Sequence, residues 1–211
     1  MEITWLGHSC FRLRGRSVSA LTDPYASSSG YSIGRVSADV VTVSNSHPHH
    51  SAIDQVGGPS IVLDGPGEYE VRGVAITGFR TDLPKRDAES PRNTAFIFEI
   101  DDVTVCHLGD IGNLLTAEQI ELSKEVNVLL VPVGGHCTIA PAQAAEIIAQ
   151  IEPKIIIPMH YATESSRVDL ETVDHFLHEM GLSETEAQPK AVVTASSLPL
   201  EPMVTVLQYP H

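Results

Sequence analysis

The chain has 211 residues, of which 42% are apolar and 19% are charged, and its formal net charge is −14 with histidine neutral. A chain of this size and apolar content buries a sizeable core, which excludes intrinsic disorder. Its excess of carboxylates repels polyanions, so neither nucleic acid nor an anionic membrane is expected as a partner.

The cysteines and the hydropathy pattern predict a cytoplasmic protein. Three widely spaced cysteines, Cys10, Cys106 and Cys137, form no Cys-x-x-Cys pair. A reducing compartment is therefore expected, and a disulfide framework is not. The N-terminus lacks the basic start and apolar run of a signal peptide. No apolar stretch approaches the roughly 18 residues that a membrane span requires.

The first hundred residues are predicted to form mainly β-strands. Short apolar or alternating runs are separated by glycine-containing turns, as in a meander. The last two runs form a predicted hairpin that turns at Asp101 and Asp102. The predicted strands are Glu2–Gly7, Cys10–Arg14, Ser17–Thr22, Val40–Ser44, Ile61–Asp64, Tyr69–Arg72, Val74–Phe79, Thr94–Ile100 and Val103–Leu108.

Helices are predicted only in the second half of the chain. Thr116 begins a capping-box pattern, a proline suited to the first helical position opens the second helix, and Gly181 closes the third. Strands alternate with these helices, which predicts one α/β domain over residues 1–211 with the sheets inside. The predicted elements are a helix after Thr116, the strand Val128–Val133, the helix Pro141–Ile151, the strand Lys154–Pro158 and the helix Asp169–Met180.

Five of the predicted strands end in loops rich in potential metal ligands. Each loop follows an apolar β run and emerges at the end of a buried strand, where ligand sites converge in α/β proteins. Imidazole nitrogens and a carboxylate oxygen held on strand ends suit a zinc, iron or manganese ion. The loops are Leu21–Pro24, Ser44–His50, Cys106–Asp110, Pro132–His136 and Pro158–Tyr161.

The order of these motifs resembles that of the metallo-β-lactamase-fold hydrolases. It runs Gly-His-Ser, Asp-Pro, a Ser-x-x-His-x-x-His loop, Gly-Asp and a late Pro-Met-His. The segments WLGHSCF, DGPGEYEV and PMHY are most similar to the small branch that includes ascorbate-6-phosphate-lactonase-like proteins. The resemblance covers the chain from Ile3 to Tyr209. It implies a four-layer αββα sandwich with a metal site at one edge of the paired sheets.

The histidine loop departs from the family signature T/S-H-x-H-x-D-H. Asn45 stands in place of the first histidine, and His49 stands in place of the aspartate. The third family histidine is missing, since no histidine lies between His50 and His107 and the segment that begins at Arg80 fills its place. The family ligands that still match are His47, His50, Asp110 and His160.

The resemblance therefore implies one divalent metal ion, with zinc preferred and manganese or iron as alternatives. The first-metal ligands are mostly lost, whereas the second metal keeps His50, Asp110 and His160. His49 could replace the lost carboxylate with a neutral nitrogen. With Asp110 as the remaining carboxylate, a second dication would be poorly balanced. The predicted metal ligands are His47, His49, His50, Asp110 and His160.

The function implied is metal-assisted hydrolysis of a small-molecule ester, lactone or phosphodiester. A metal-bound hydroxide would attack the substrate, while Asp110 orients it and His8 or His136 steadies the developing oxyanion. Asp23 is expected either to orient the histidine loop or to cap a turn. His107 is expected to be a core residue. The alternative function is a degenerate family member that catalyses little and binds a ligand or a partner protein.

Overall fold

The computed structural model describes residues 1–58, 60–82, 92–183 and 185–210, and its backbone consists mainly of strands. The strands are β1 (Glu2–Trp5), β2 (Phe11–Arg14), β3 (Ser19–Thr22), β4 (Val36–Ser37), β5 (Val40–Thr42), β6 (Val56–Gly57), β7 (Ile61–Leu63), β8 (Gly67–Val71), β9 (Val74–Asp82), β10 (Arg92–Ile100), β11 (Val103–His107), β12 (Val128–Pro132), β13 (Ile155–Met159), β14 (Ala191–Val192) and β15 (Met203–Val204). The helices are α1 (Ala117–Ser123), α2 (Pro141–Ile151) and α3 (Val173–Glu179).

Two mixed sheets form the body of the protein. The strand order is β14-β1-β2-β3-β5-β7 in the first sheet and β15-β13-β12-β11-β10-β9-β8 in the second, and β4 and β6 form a separate pair. Apolar side chains of both sheets meet in one buried cluster. Its largest members include Trp5, Phe11, Phe96 and Phe98. The predicted α/β sandwich is confirmed.

Two of the three helices connect strands of the second sheet, and α3 packs against α2. β11, β12 and β13 run parallel, and α1 and α2 form the crossovers between them. β12 and β13 are buried along their whole length, as expected of parallel strands covered on both faces. In the described part of the first sheet, the crossovers from β3 to β5 and from β5 to β7 contain short 3-10 turns instead. Every helix within the described ranges is too short or too polar to cross a membrane.

Most local predictions from the sequence are confirmed, although strand ends shift by one to three residues. Asp101 and Asp102 have φ values of 53° and 64°, the left-handed pair that matches the twist of a tight hairpin. In α1 the hydroxyl of Thr116 accepts from the backbone N–H of Gln119, and the Gln119 side chain accepts from the N–H of Thr116. α2 has the predicted bounds.

The predicted start of the third helix is wrong. The apolar spacing placed it at Asp169, whereas α3 begins at Val173. The N–H of Glu171 donates to the carbonyl of Gly134 at 2.7 Å, and the carbonyl of Glu171 accepts from the N–H of Ala162 at 2.8 Å. These tertiary hydrogen bonds hold the preceding residues extended beside the ends of β12 and β13, so the helix cannot start earlier.

Candidate metal centre

The predicted ligand loops leave the two sheets at neighbouring strand ends. β3 and β5 run parallel, as do β11, β12 and β13, so the carboxyl ends of the strands coincide within each group. Asp23 follows β3, His50 lies in the loop after β5, Asp110 lies in the loop after β11, and His160 directly follows β13. Contacts among these four side chains confirm the convergence that the sequence predicts.

His50, Asp110 and His160 form the centre of the site. Nε2 of His50 lies 3.8 Å from Oδ2 of Asp110, and Nε2 of His160 lies 3.9 Å from Oδ1. The two imidazole rings are inclined by 17°, with centroids 5.5 Å apart. Ligand atoms around a tetrahedral zinc ion lie roughly 3.3–3.6 Å apart, given bonds of about 2.0–2.2 Å. These three side chains therefore fit a metal ion after small shifts.

His8 adds a third imidazole to the cluster. Ring nitrogens of His8, His50 and His160 all lie within 4.8 Å of one another, and the ring of His8 is 4.1 Å from that of His160. His8 is 1% exposed, and within the described ranges neither of its ring nitrogens has a hydrogen-bond partner. A buried polar group without a partner costs about 1–3 kcal/mol. An ion or a substrate at this position would offset that cost.

Strained backbone holds His8 against His160. Their φ values are 52° and 53°, in the left-handed region that costs a non-glycine residue about 1–2 kcal/mol. The carbonyl of His8 accepts from the N–H of His160 at 3.0 Å and from the indole N–H of Trp5 at 2.9 Å. Trp5 in turn stacks on Tyr161. These contacts fix the N-terminal turn to the end of β13.

Burial favours the neutral forms of the His8 and His160 imidazoles. Desolvation lowers the pKa of His8 and the pKa of His160 well below the ordinary value of 6.5, and neighbouring histidines lower both further. A neutral imidazole is the form that binds a metal. At neutral pH these two imidazoles therefore each present a nitrogen lone pair and need no proton loss to bind an ion.

Asp23 orients the histidine loop, as one of the two sequence interpretations predicts. Its buried carboxylate accepts from Nδ1 of His50 at 2.7 Å, and from the N–H and hydroxyl of Ser44 at 2.8 and 2.6 Å. Burial alone would raise the pKa of Asp23, but His107 and the hydrogen bond from His50 outweigh burial and lower it. The ionised carboxylate fixes His50 with Nδ1 protonated and Nε2 directed at Asp110.

His47 and His49 lie at the rim of the site, outside the group of nitrogens that approach one another. His47 is exposed, and its Nδ1 accepts from the N–H of His49 at 3.2 Å. Nε2 of His49 lies 2.9 Å from the hydroxyl of Ser28. Burial, followed by the charges of His47 and His50, lowers the pKa of His49 to about 4. Metal binding by these two residues stays a prediction.

Two other histidines occupy supporting positions. His107 is fully buried, as predicted, and its Nε2 lies 2.8 Å from the carbonyl of Ser9. His136 is 43% exposed at its side chain, and its Nδ1 lies 3.5 Å from Asp169. The structure therefore places His8, and not His136, next to the candidate ligands.

Asn93 positions Asp110 and was not identified from the sequence. Its Oδ1 accepts from the backbone N–H of Asp110 at 3.0 Å, and its Nδ2 donates to Thr81 and to the carbonyl of Leu108. Asn93 is fully buried within β10. Asparagine is disfavoured in strands, and the predicted strand begins at Thr94, so the sequence pattern places Asn93 outside it.

Comparison with known proteins identifies the family. Residues 2–160 match the family profile described as the beta-lactamase superfamily domain. The chain belongs to the metallo-β-lactamase superfamily.

Several relatives of this superfamily member are described as metal-dependent hydrolases. A UPF0173 protein of Pyrococcus furiosus is 31% identical over 188 residues, which cover 78% of this chain and 85% of the relative. A UPF0173 metal-dependent hydrolase of Methanopyrus kandleri is 28% identical, and the match covers 86% of this chain and 94% of the relative. A candidate zinc-dependent hydrolase of the superfamily from Thermotoga maritima is 40% identical, with a TM-score of 0.80 over 98% of this chain and 97% of that one.

The metallo-β-lactamase histidine loop is used differently in this chain. Asn45, at the position of the first family histidine, is 5% exposed, and its Oδ1 accepts from the N–H of His47 at 3.0 Å. Asn45 therefore stabilises the loop conformation as a hydrogen-bond acceptor. The side chains at both altered positions, Asn45 and His49, form hydrogen bonds within the site.

The loop that carries Asp110 is expected to require glycine at position 109. Gly109 has a φ of 66°, and an added Cβ would lie 2.5 Å from Oδ1 of Asn93 and 2.5 Å from Cβ of Ser44. Gly109→Ala should lower the free energy of unfolding by at least about 2 kcal/mol, since backbone strain and overpacking add. Urea unfolding measures this effect.

Gly34→Ala is the matched control for this substitution. Gly34 has a φ of 69°, and no atom of the described residues lies within 4 Å of its added Cβ. Gly34→Ala should lower the free energy of unfolding only by the cost of placing alanine in the left-handed backbone conformation. An equal decrease in the free energy of unfolding in the two variants would show that the close contacts at Gly109 do not contribute to the effect.

Proposed function

We propose that this protein is a hydrolase of small-molecule esters, lactones or phosphodiesters that works with one divalent metal ion, with zinc preferred. The observation that carries the proposal is the convergence of His50, Asp110 and His160 at 3.8–3.9 Å beside His8. Two imidazoles and one carboxylate leave a coordination position open, which is typical of catalytic zinc sites and not of structural ones. The relatives described as metal-dependent hydrolases support the same activity.

A single ion follows from the charge of the site. In the described part of the chain, Asp110 is the carboxylate that faces Nε2 of both His50 and His160. Asp23 lies behind His50, where its charge is already shared with Ser44 and His107. One carboxylate balances one dication with its ligands better than it balances two.

The chain's own groups account for positioning and charge stabilisation. A bound divalent ion would act as a Lewis acid and lower the pKa of a water molecule bound to it toward about 7. Asp23 fixes the orientation of His50, and Asn93 fixes the backbone of Asp110. The neutral imidazole of His8 can donate a hydrogen bond to an oxyanion that develops on the substrate. The acidic chain favours a small-molecule partner, and a cytoplasmic location stays a prediction.

Substitution of His8 tests this division of roles. His8→Ala should keep its metal ion and lose at least about 100-fold in kcat, the usual cost of one oxyanion donor. The measurements are elemental analysis after dialysis and hydrolysis of nitrophenyl acetate, a γ-lactone and bis-nitrophenyl phosphate. Arg35→Gln, an exposed change away from these ligands, is the control and should match the parent in both measurements.

Three outcomes would contradict the proposal. Loss of the ion from His8→Ala would make His8 a ligand and leave the oxyanion role without support. Close to two ions per chain in the parent would exclude a mononuclear site. One bound ion without hydrolysis of any of the three ester classes would favour the alternative, a binding module of the same fold.

A further inference from the structure

A cavity of about 450 Å³ lies directly beside the histidine loop. One wall is formed by the loop residues Asn45 and Ser46, and the opposite wall by β9 and β10 of the second sheet. The backbone N–H of Thr94 donates to the carbonyl of Ser44 at 2.8 Å and joins the two walls. The cavity therefore adjoins the loop that leads to His50.

Two arginines face this cavity. Arg80 on β9 is paired in register with Thr94 on β10, and Arg92 lies two residues before Thr94. Since side chains alternate along a strand, Arg80, Arg92 and Thr94 share one face of the sheet, and all three line the cavity. Both arginines are exposed, so a ligand can reach their guanidinium groups.

The cavity has an excess of positive charge on a strongly acidic chain. Of the lining residues in the described ranges, Arg80 and Arg92 carry positive charge and Asp64 carries negative charge, whereas the chain has a net charge of −14. Neither arginine forms an ion pair within the described ranges, and this includes Asp82, the cross-strand neighbour of Arg92. Within the described ranges, no carboxylate occupies either guanidinium group.

Short connections link the cavity to the candidate metal centre. Asn45 lines the cavity and also accepts from the N–H of His47. Asn93, between Arg92 and Thr94 in β10, accepts from the N–H of Asp110. A ligand held by the arginines would therefore lie next to the backbone that positions His50 and Asp110.

We propose that this cavity binds an oxyanion group of the substrate, a phosphate or a carboxylate, through Arg80 and Arg92. Guanidinium groups bind both kinds of oxyanion with paired, charge-assisted hydrogen bonds. The arginines supply positive charge on the side of the histidine loop where Asn45 has replaced a ligand. The inference rests on the proposed function, because it treats the anion as part of the hydrolysed molecule.

Calorimetric titration with inorganic phosphate and with acetate tests the inference on the protein as purified. Arg80→Gln combined with Arg92→Gln should weaken binding of the preferred anion at least about tenfold, the usual effect of losing a hydrogen bond to a charged group. The metal content should not change. Arg35→Gln removes one exposed positive charge elsewhere and should change the affinity less than about twofold, as expected for an unpaired surface charge. Tighter binding of phosphate would indicate that the substrate carries a phosphate group, and tighter binding of acetate would indicate that it carries a carboxylate.

The failure of this inference is distinguishable from that of the proposed function. Equal effects of Arg35→Gln and the double substitution, or no binding of either anion, would overturn the cavity site. Loss of anion binding in His160→Ala with retention in the double variant would place the anion at the metal centre, which overturns the inference and leaves the hydrolase intact. Arginine-dependent binding without hydrolysis would support the cavity site and contradict the hydrolase.

Discussion

Replacement of Asp110 or His160 by alanine is expected to abolish metal retention. Nε2 of His160 lies 3.9 Å from Oδ1 of Asp110 at the centre of the site, and both side chains are proposed to hold the ion. Since loss of an outer supporting group already weakens metal binding by roughly 10–100-fold, loss of a ligand should weaken it by more than about 100-fold. Elemental analysis after dialysis measures the retained ion.

Control variants separate loss of the ligand from loss of the fold. His175→Ala removes a histidine whose side chain is 63% exposed on α3, and it should leave the metal content unchanged. Asp110→Asn preserves the shape of the side chain and should also lose the ion while it retains the circular dichroism of the parent. If all four substitutions left the metal content equal, the site would lie elsewhere in the protein.

Restoration of the family ligands is expected to create a second metal site. Asn45→His and His49→Asp rebuild the loop signature, and Asp82→His supplies the missing third histidine on β9. The carbonyl of Asp82 accepts from the N–H of Gly112 at 2.8 Å, so position 82 lies next to the Asp110 loop. The alternative position, Leu83, lies outside the described residues and is the second variant to make.

The rebuilt protein should bind two ions per chain and hydrolyse the test esters at least about tenfold faster than the parent. The restored carboxylate balances the second cation, and the added imidazoles complete its coordination. Asn45→His alone lacks that carboxylate and should stay at one ion, which makes it the matched control. If the parent already hydrolysed these substrates as fast as either rebuilt variant, the altered loop would be an adaptation to a different working site.

The sequence determined the order of the longer elements and the set of strand-end loops, whereas the two-residue strands β4, β6, β14 and β15 were not predicted. The meander, α1 and α2 could be placed from local sequence pattern alone. Their signals are the period-two apolar runs, the capping box and Pro141, and each of these signals spans only a few residues. The motif order similarly predicted the family and a site that contains His50, Asp110 and His160. Because parallel strands bring their carboxyl ends together, sequence position was sufficient to predict that these loops meet.

Only the tertiary structure decided which of the candidate histidines point at one another. His47 and His49 follow the same strand as His50, but the turn around Pro48 directs them to the rim, and His8 reaches the cluster through a backbone contact with His160 that spans most of the chain. The start of α3 and the support of Asp110 by Asn93 likewise depend on partners distant in sequence. Local propensity fixes elements within a few residues, whereas side-chain direction in a loop depends on hydrogen bonds to residues that only folding brings near.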